Sequence, residues 1–373
     1  MRFVIARDEF LKGLQTASRA VGSKNAIPVL SNLKLDLTEE GLFITGSNND
    51  LTIRTMIPYR INDLEVIRDY KEGSTLISSK IITEIARKID SPEIKFDVID
   101  STIAVISDNI SEFKINCIRP EEYPDLDLSA EGTSLVLSNA DFATLIEQTA
   151  FAASTKEQRP ILTAINLVAE LGTLTATATD SARLARKTLT IDPNVFFTAN
   201  ITAKMMMEVA RLAEGTSTIE IAVSEKKALF SFGRTVVAAR LLSGDFPNTK
   251  NIIPRNINYS LRVNSQDMIK AIDRASLLSI ERENVVSLTM SENGVEVSSK
   301  SSQIGSASDR LTNFRYDGQA LSISFNKEFV LAAIRALGSP EVTLAFVAEM
   351  KPFVVRNDED DTVVQVVTPM RTY

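Results

Sequence analysis

Apolar and polar residues alternate along much of the chain in short runs, the pattern of strands with one buried face, and at regular intervals the alternation gives way to apolar residues at helical spacing. Three segments share one such transition: VIARDEFLKGLQTASRAV from Val4, LSNADFATLIEQTAFAAS from Leu137 and VNSQDMIKAIDRASLLS from Val263. Each predicts a short strand running into a helix that opens on a turn or cap residue (Asp8, Asn139, Ser265) with an acidic residue near its first turn. Phe10, Leu11, Leu14 and Ala17 mark the buried side of the first helix. A second triplet, STLISSKIITEIARKI, NVFFTANITAKMMMEVARLA and LSISFNKEFVLAAIRAL, repeats the pattern, with Lys80, Lys204 and Glu328 at a constant spacing of 124 residues. Three alternating stretches follow each helix, for example EIKFDVID, STIAVIS and EFKINCI. The chain thus reads as six copies of one module: a strand, a helix and a three-stranded antiparallel meander.

Six modules in 373 residues are roughly 60 residues each, and two together have the size of a single-core domain. The expected fold class is therefore α+β, with three similar domains in series, each made of two modules. Proline, acidic and polar residues cluster in RPEEYPDLDLSAEGTS and FPNTKNIIPRN, which sets the domains at residues 1–126, 127–253 and 254–373. A simpler solenoid is a poorer match, since solenoid repeats are shorter than these modules.

Composition narrows the chemistry. At 44% hydrophobic and 24% charged the chain has the balance of a globular protein. No apolar run is long enough to span a bilayer, and MRFVIARDEF does not resemble an export leader, so the chain is expected neither exported nor embedded. Histidine is absent, which removes the usual general base and metal ligand. Cys117 is the single cysteine, excluding an intrachain disulfide and a thiolate cluster and fitting a reducing cytoplasm. It sits in an alternating strand and reads as a small buried apolar residue. The phosphate-cradling motifs G-x-x-x-x-G-K-[ST] and G-x-G-x-x-G do not occur. Ser224 to Lys227 matches S-x-x-K by chance in a hairpin turn, and the acidic run Asp358 to Asp361 lacks calcium-loop spacing and reads as a solvated hairpin tip. No catalysis, metal or cofactor is expected.

Net charge is −7, which argues against nucleic acid until its distribution is considered. Lys12 and Arg19, Lys80 and Arg87, and Lys204 and Arg211 are each two helical turns apart, hence on one face. Lys270 and Arg274 share the fifth helix, and Lys327 and Arg335 the sixth. The helix at Asn139 departs from this, carrying Glu147 and no basic residue, though Lys156 and Arg159 follow in its loop. Any one pair reads as an ordinary solvated face. Recurrence at equivalent positions points further: if the helices face a common axis, an acidic protein presents a basic inner surface and its strands form the outside.

The stretches SRAVGSKNAIPVLSNLKLDL, LTATATDSARLARKTL, GDFPNTKNIIP and VVTPMR, together with the repeat, closely resemble the bacterial sliding clamp family, the beta subunit of DNA polymerase III, over essentially the whole chain. The resemblance implies a head-to-tail homodimeric ring with helices inside around double-stranded DNA and antiparallel sheets outside. It implies a processivity factor without sequence specificity, with the polymerase alpha subunit, the clamp loader, other polymerases and repair proteins as partners. For DNA contact it points to Lys24, Lys80, Lys156, Arg159 and Lys204, then Lys12, Arg19, Arg87 and Arg211. For the ring interface it points to Phe113 meeting Leu277 and Leu278, residues that also read as ordinary core. Partners of the family carry glutamine, leucine and phenylalanine anchors, for which the pocket here comprises Leu162, Thr179, Ser181, Arg183, Leu184, Pro247, Ile252, Asn326, Met350, Val366, Val367, Pro369, Met370 and Arg371. Where the family often has T-D-G-H-R-L, this chain has Thr179, Asp180, Ser181, Ala182, Arg183 and Leu184, losing a glycine and a histidine at the rim. Thr372 and Tyr373 extend beyond Arg371, beside the implied pocket. Two other classes compete: an enzyme on a repeated α+β scaffold, which lacks a convincing nucleophile or base, and a sequence-specific DNA binder, which lacks a recognition helix and a basic balance.

Overall fold

In the computed structural model, the described residues are 1–22, 27–278, 284–301 and 303–371. All six modules are present. The first is β1 (Arg2–Ala6), α1 (Arg7–Ser18), β2 (Asn32–Thr38), β3 (Gly41–Ser47) and β4 (Leu51–Pro58). Three short strands follow, β5 (Arg60–Ile61), β6 (Leu64–Glu65) and β7 (Ile67–Lys71). The second is β8 (Gly73–Ser78), α2 (Ser79–Lys88), β9 (Glu93–Ile99), β10 (Ile103–Ser107) and β11 (Glu112–Asn116). The third is β12 (Thr133–Ser138), α3 (Asn139–Glu147), β13 (Ala164–Glu170), β14 (Thr173–Thr179) and β15 (Arg183–Thr190). The fourth is β16 (Phe197–Thr202), α4 (Ala203–Ala213), β17 (Thr218–Val223), β18 (Lys227–Phe232) and β19 (Thr235–Arg240). The fifth is β20 (Tyr259–Asn264), α5 (Ser265–Ala275), β21 (Val285–Ser291), β22 (Gly294–Ser301) and β23 (Gly305–Leu311), with β24 (Phe314–Asp317) after it. The sixth is β25 (Leu321–Asn326), α6 (Lys327–Leu337), β26 (Glu341–Phe346), β27 (Phe353–Arg356) and β28 (Val363–Val367).

Sister modules exchange their leading strands. β1 pairs with β9 while β8 pairs with β2, and the same crossing joins β16 to β13 and β12 to β17, then β25 to β21 and β20 to β26. Every ladder between these strands is antiparallel, so alternation puts one side of each strand under helices and leaves the other outside. Four-stranded half-sheets then join edge to edge: β4 pairs with β19, and β15 with β28. The sheets therefore run across the positions where the sequence changes character near residues 126 and 253.

Two compact bodies result, Met1–Asn139 with Arg211–Leu241, and Ala140–Ala210 with Leu242–Tyr373. In the first, Phe3 stacks on Phe96 at 4.9 Å and meets Phe10 edge-on at 5.9 Å, beneath α1 and α2. These helices run antiparallel: Arg7 at the start of α1 donates to the carbonyls of Ala86 and Arg87 at the end of α2, and Ser79 donates to Ser18 Oγ at 2.9 Å at the other end. Gly46 is required where α1 ends on β3, because a Cβ there would lie 2.2 Å from the Ala17 carbonyl oxygen. In the second body Phe353 packs between Phe346 at 5.0 Å and Phe325 at 5.7 Å under α5 and α6.

The helix starts differ in detail from the sequence reading. α5 is capped by Asn264, one residue before Ser265, whose side chain accepts from the amides of Gln266 and Asp267. α1 begins before Asp8, on Ala6, without a side-chain cap. The acidic run lies in the β27–β28 turn with Asp358, Glu359 and Asp361 exposed, as expected, but two of its carboxylates are also engaged. Asp358 accepts from Thr343 Oγ1 at 2.6 Å and Arg356 Nε at 2.8 Å. Asp360 accepts from the buried Lys187 Nζ at 3.1 Å, so the β27–β28 turn is tied to β15 across the sheet joint. The sequence gives no cue for this, since Lys187 and Asp360 are far apart in the chain.

Burial pushes the Asp360 carboxyl up, but hydrogen bonds from Thr362 and Lys187 outweigh it and hold the group below its ordinary range. A depressed native pKa gives stability that is whole at neutral pH and lost as pH falls through it. Asp360→Asn should thus cost about 2 kcal/mol at neutral pH by leaving Lys187 without its counter-charge. Denaturant titrations at stepped pH should show the variant and the parent converging below the ordinary carboxylate range.

Candidate functional site

The expected basic residues divide between the bodies. In the first, α1 buries Phe10, Leu14 and Ala17 and leaves Lys12 exposed, with Arg19 exposed at its C-cap. Lys80 and Arg87 are exposed on α2, so four cations lie on one antiparallel helix pair. Arg87 is ion-paired with Glu84, which reduces its pull on a distant anion. Arg211, at the end of α4, is exposed in the same body. In the second body Lys204 is exposed on α4 beside Met207, itself 49% exposed, and Lys156 and Arg159 project from a wholly exposed loop. Lys24 lies outside the described residues. Two weaker candidates are engaged elsewhere: Arg274 pairs with Asp309, and Lys327 donates to Ser276 Oγ at 3.2 Å.

The expected pocket residues all belong to the second body. Across β15, β28, β27 and β26 the cross-strand partners Leu184, Val366, Val354 and Ala345 form an apolar row on the face away from α5 and α6. Ile253 and Ile257 pack on this row from the segment 242–258. The same segment carries Pro247, exposed, and Ile252, 42% exposed. Thr179 is the β14 partner of Leu184, on the same side. Leu162 is buried in the short helical turn before β13, and Met350 is 46% exposed before β27. Pro369 is buried, Arg371 is exposed, and Met370 donates its amide to the Ser324 carbonyl, fixing the segment after β28.

Other members of the set lie differently. Val367 and Arg183 are partners on the opposite side of the sheet, where Val367 joins the core under α6. Asn326 caps α6, accepting from the Glu328 amide at 2.9 Å. Thr372 and Tyr373 are outside the described residues.

The rim turn compensates for its missing glycine. Ser181 adopts φ 78°, the left-handed region that favours glycine, and is held there from both sides. Its amide donates to Thr179 Oγ1 at 3.1 Å, and that hydroxyl donates to the Arg183 carbonyl at 2.6 Å. Asp180 accepts from the amides of Ala182 and Arg183 and from Arg183 Nε, each within about 3 Å. The Arg183 guanidinium also lies 4.5 Å from the Phe329 ring and 5.7 Å from that of Phe151. Sequence reasoning missed Phe329, Phe151, Ile253 and Ile257. The run NIIPRNI and the aromatic three positions after Asn326 were the available signals.

Two sheet edges end on meander strands. β11 closes one sheet and β23 another, each paired on one side only. Phe113 is on β11, partly buried against its own core. Leu277 is 78% exposed in the short helical turn Ser276–Leu278 that follows α5, and Leu278 adjoins Gly305 at the start of β23. Ser224 of the S-x-x-K match donates to the Lys227 carbonyl, and Lys227 Nζ is spent on Asp127 at 2.5 Å, so the turn holds no activated hydroxyl. Among the described residues no acidic or cysteine cluster is arranged to hold a metal, and no helix is long and apolar enough to cross a membrane.

The descriptions of the DNA polymerase III beta subunit match the chain in three parts: the N-terminal domain over residues 1–127, the central domain over 136–248 and the C-terminal domain over 250–371. The chain is 33% identical over 378 residues to the beta sliding clamp of Bacillus subtilis and 35% identical over 380 residues to that of Halalkalibacterium halodurans, covering 100% of each chain. Its structure is similar to the crystal structure of the DNA polymerase sliding clamp from Bacillus subtilis, with TM-score 0.96 at 32% identity and 100% coverage of both chains. It is also similar to the DNA polymerase III beta chain from Streptococcus pneumoniae, with TM-score 0.95 at 30% identity and the same coverage.

The Thr179 hydroxyl links both ends of the rim turn, so Thr179→Val should lower stability by about 1 kcal/mol and release Ser181 from its left-handed conformation. Hydrogen exchange at the Ser181 amide, compared with amides of β13 as an internal reference, should quicken selectively.

Proposed function

The chain belongs to the DNA polymerase III beta subunit family, the sliding clamps, and from that premise we propose how its own residues serve the processivity factor of the replicative polymerase. No bond is made or broken. A closed ring threaded by duplex DNA leaves only by opening or by running off an end, so retention is topological and needs little affinity. A polymerase held by such a ring stays at high effective concentration at the primer end.

The observation that carries the ring is the pattern of sheet joints. Each joint within the chain unites the third meander strand of an odd module with that of an even one, β4 with β19 and β15 with β28. β23 and β11 are the third meander strands of the fifth and second modules, and each has an open edge. An open edge is a template for another strand. Joining β23 of one copy to β11 of another repeats the same joint and closes a head-to-tail dimer of six domains. Phe113, the exposed Leu277 and the half-buried Leu278 lie beside those two edges, which supports them as interface residues. The domains are 1–126, 127–253 and 254–373, a division supported by the three family matches.

Lys12, Arg19, Lys80, Arg87, Lys156, Arg159, Lys204 and Arg211 supply weak phosphate contacts, with Lys24 in the same role. Such contacts carry no sequence information and allow sliding, and the net charge of −7 limits tight non-specific binding. Partners, including the polymerase alpha subunit, the clamp loader, other polymerases and repair proteins, dock short apolar motifs. Their site is the row of Leu184 and Val366 and its surround of Leu162, Thr179, Ser181, Pro247, Ile252, Met350, Pro369, Met370 and Arg371, with Arg183, Asn326 and Val367 supporting it from behind. A few buried anchors suffice for transient exchange. Work on chromosomal DNA puts the protein in the cytoplasm.

Loaded onto a nicked circle by a cognate clamp loader with ATP, the protein should co-elute with the DNA and leave it after a single cut that linearises the circle. Retention unaffected by the cut overturns the topological reading. Light scattering should give the mass of two chains, and Leu277→Asp, at a position too exposed to support the fold, should raise the dimer dissociation constant at least about tenfold while circular dichroism stays unchanged.

A further inference from the structure

Strand β15 carries three cations close together, and they are treated differently. Arg183 pairs with Asp180 at 3.0 Å, and Lys187 Nζ lies 3.1 Å from Asp360 and donates to Thr362 Oγ1 at 2.6 Å. Arg186 lies between them without an acid. Its NH2 donates to Thr249 Oγ1 at 2.7 Å, its buried Nε–H makes no hydrogen bond, and no carboxylate among the described residues lies within ion-pair reach. Burial accordingly pulls its pKa down with no neighbouring charge to restore it. A half-buried guanidinium with idle donors is costly to keep, and on a strand where both neighbouring cations are matched it stands out as incomplete.

Its position gives that incompleteness a direction. Arg186 is two residues beyond Leu184 on the same side of β15, about 7 Å along the strand, and its partner on β28 is Val364, which packs with the row of Leu184, Val366, Val354 and Ala345. Thr249, its acceptor, is buried in the segment that carries Pro247 and Ile252. The cation thus closes one end of the apolar row, beneath the segment that walls it.

We propose that Arg186 is the anion-recognising end of the peptide pocket, taking a carboxylate of the bound segment beside its apolar anchors. The inference rests on the pocket reading above and extends it from apolar anchors to a charge. The buried Nε is out of a ligand's reach, but only one N–H of the two terminal nitrogens goes to Thr249, and that planar pair suits a two-oxygen acceptor, which an apolar surround strengthens. The carboxylate comes either from an aspartate or glutamate side chain or from the free C-terminus of a segment that ends there.

Three labelled peptides with the same glutamine, leucine and phenylalanine anchors separate these sources in anisotropy titrations with the full chain. One has an aspartate beside the anchors and an amidated end, one is neutral with a free carboxylate end, and one is neutral and amidated. The expected result is that one anionic peptide binds the parent about tenfold tighter than the neutral amide, loses that margin with Arg186→Met and keeps part of it with Arg186→Lys. Equal affinity of all three for the parent overturns the proposal without any variant. An equal loss for all three in Arg186→Met also overturns it, assigning Arg186 to support of the Thr249 segment. Failure of all three to bind the parent defeats the pocket reading and this proposal with it.

Discussion

A strand at the edge of a sheet has backbone donors and acceptors with no partner, and the architecture of this chain follows from how those edges are met. Within a domain, sister modules meet them by exchanging leading strands, so neither module owns a complete sheet. Between domains, third meander strands meet one another, so each long sheet is common property of two domains. The division into two compact bodies is a direct result: it groups half-sheets that share a joint and separates the two halves of the central domain.

The helices inherit their role from this scheme. Each begins where a leading strand ends, without an intervening loop, so its direction is fixed by the sheet beneath it. Helices α1 and α2 then run antiparallel, with apolar residues toward the sheets and Lys12, Lys80 and Arg19 toward solvent. Exposed cations recur on α1, α2 and α4 while α3 carries only Asp141 and Glu147, so an acidic chain still presents basic positions on several helices. A protein that works by enclosure needs only such positions and a closed outline, and the absence of histidine costs it nothing.

Much of this was legible in sequence because it is periodic. The constant spacing of 124 residues recurs in the structure, where α2, α4 and α6 begin at Ser79, Ala203 and Lys327. The alternating stretches EIKFDVID, STIAVIS and EFKINCI became β9, β10 and β11. Features made by long-range pairing were not legible. Lys187 finding Asp360, Arg183 lying between Phe151 and Phe329, and Ile253 folding over Leu184 depend on strands from different modules coming side by side. Local chemistry was legible only to within a residue or so, as the shift of the α5 cap from Ser265 to Asn264 illustrates. The pocket set was a mixed case. Resemblance named neighbours along the strand, but alternation sends Val366 and Val367 to opposite sides of the sheet.

The joint between β4 and β19 also sets a timetable. Thr55 meets Thr235, 180 positions later in the chain. A ribosome adding amino acids at bacterial speed needs roughly 10–40 s to bridge that gap. For that interval the nascent chain carries a finished meander whose last strand is paired with β3 on one edge and open on the other, in a cell crowded with identical nascent chains. Premature pairing between copies is the hazard such a delay creates, and it makes the early chain a natural client for chaperones that shield exposed strands during synthesis.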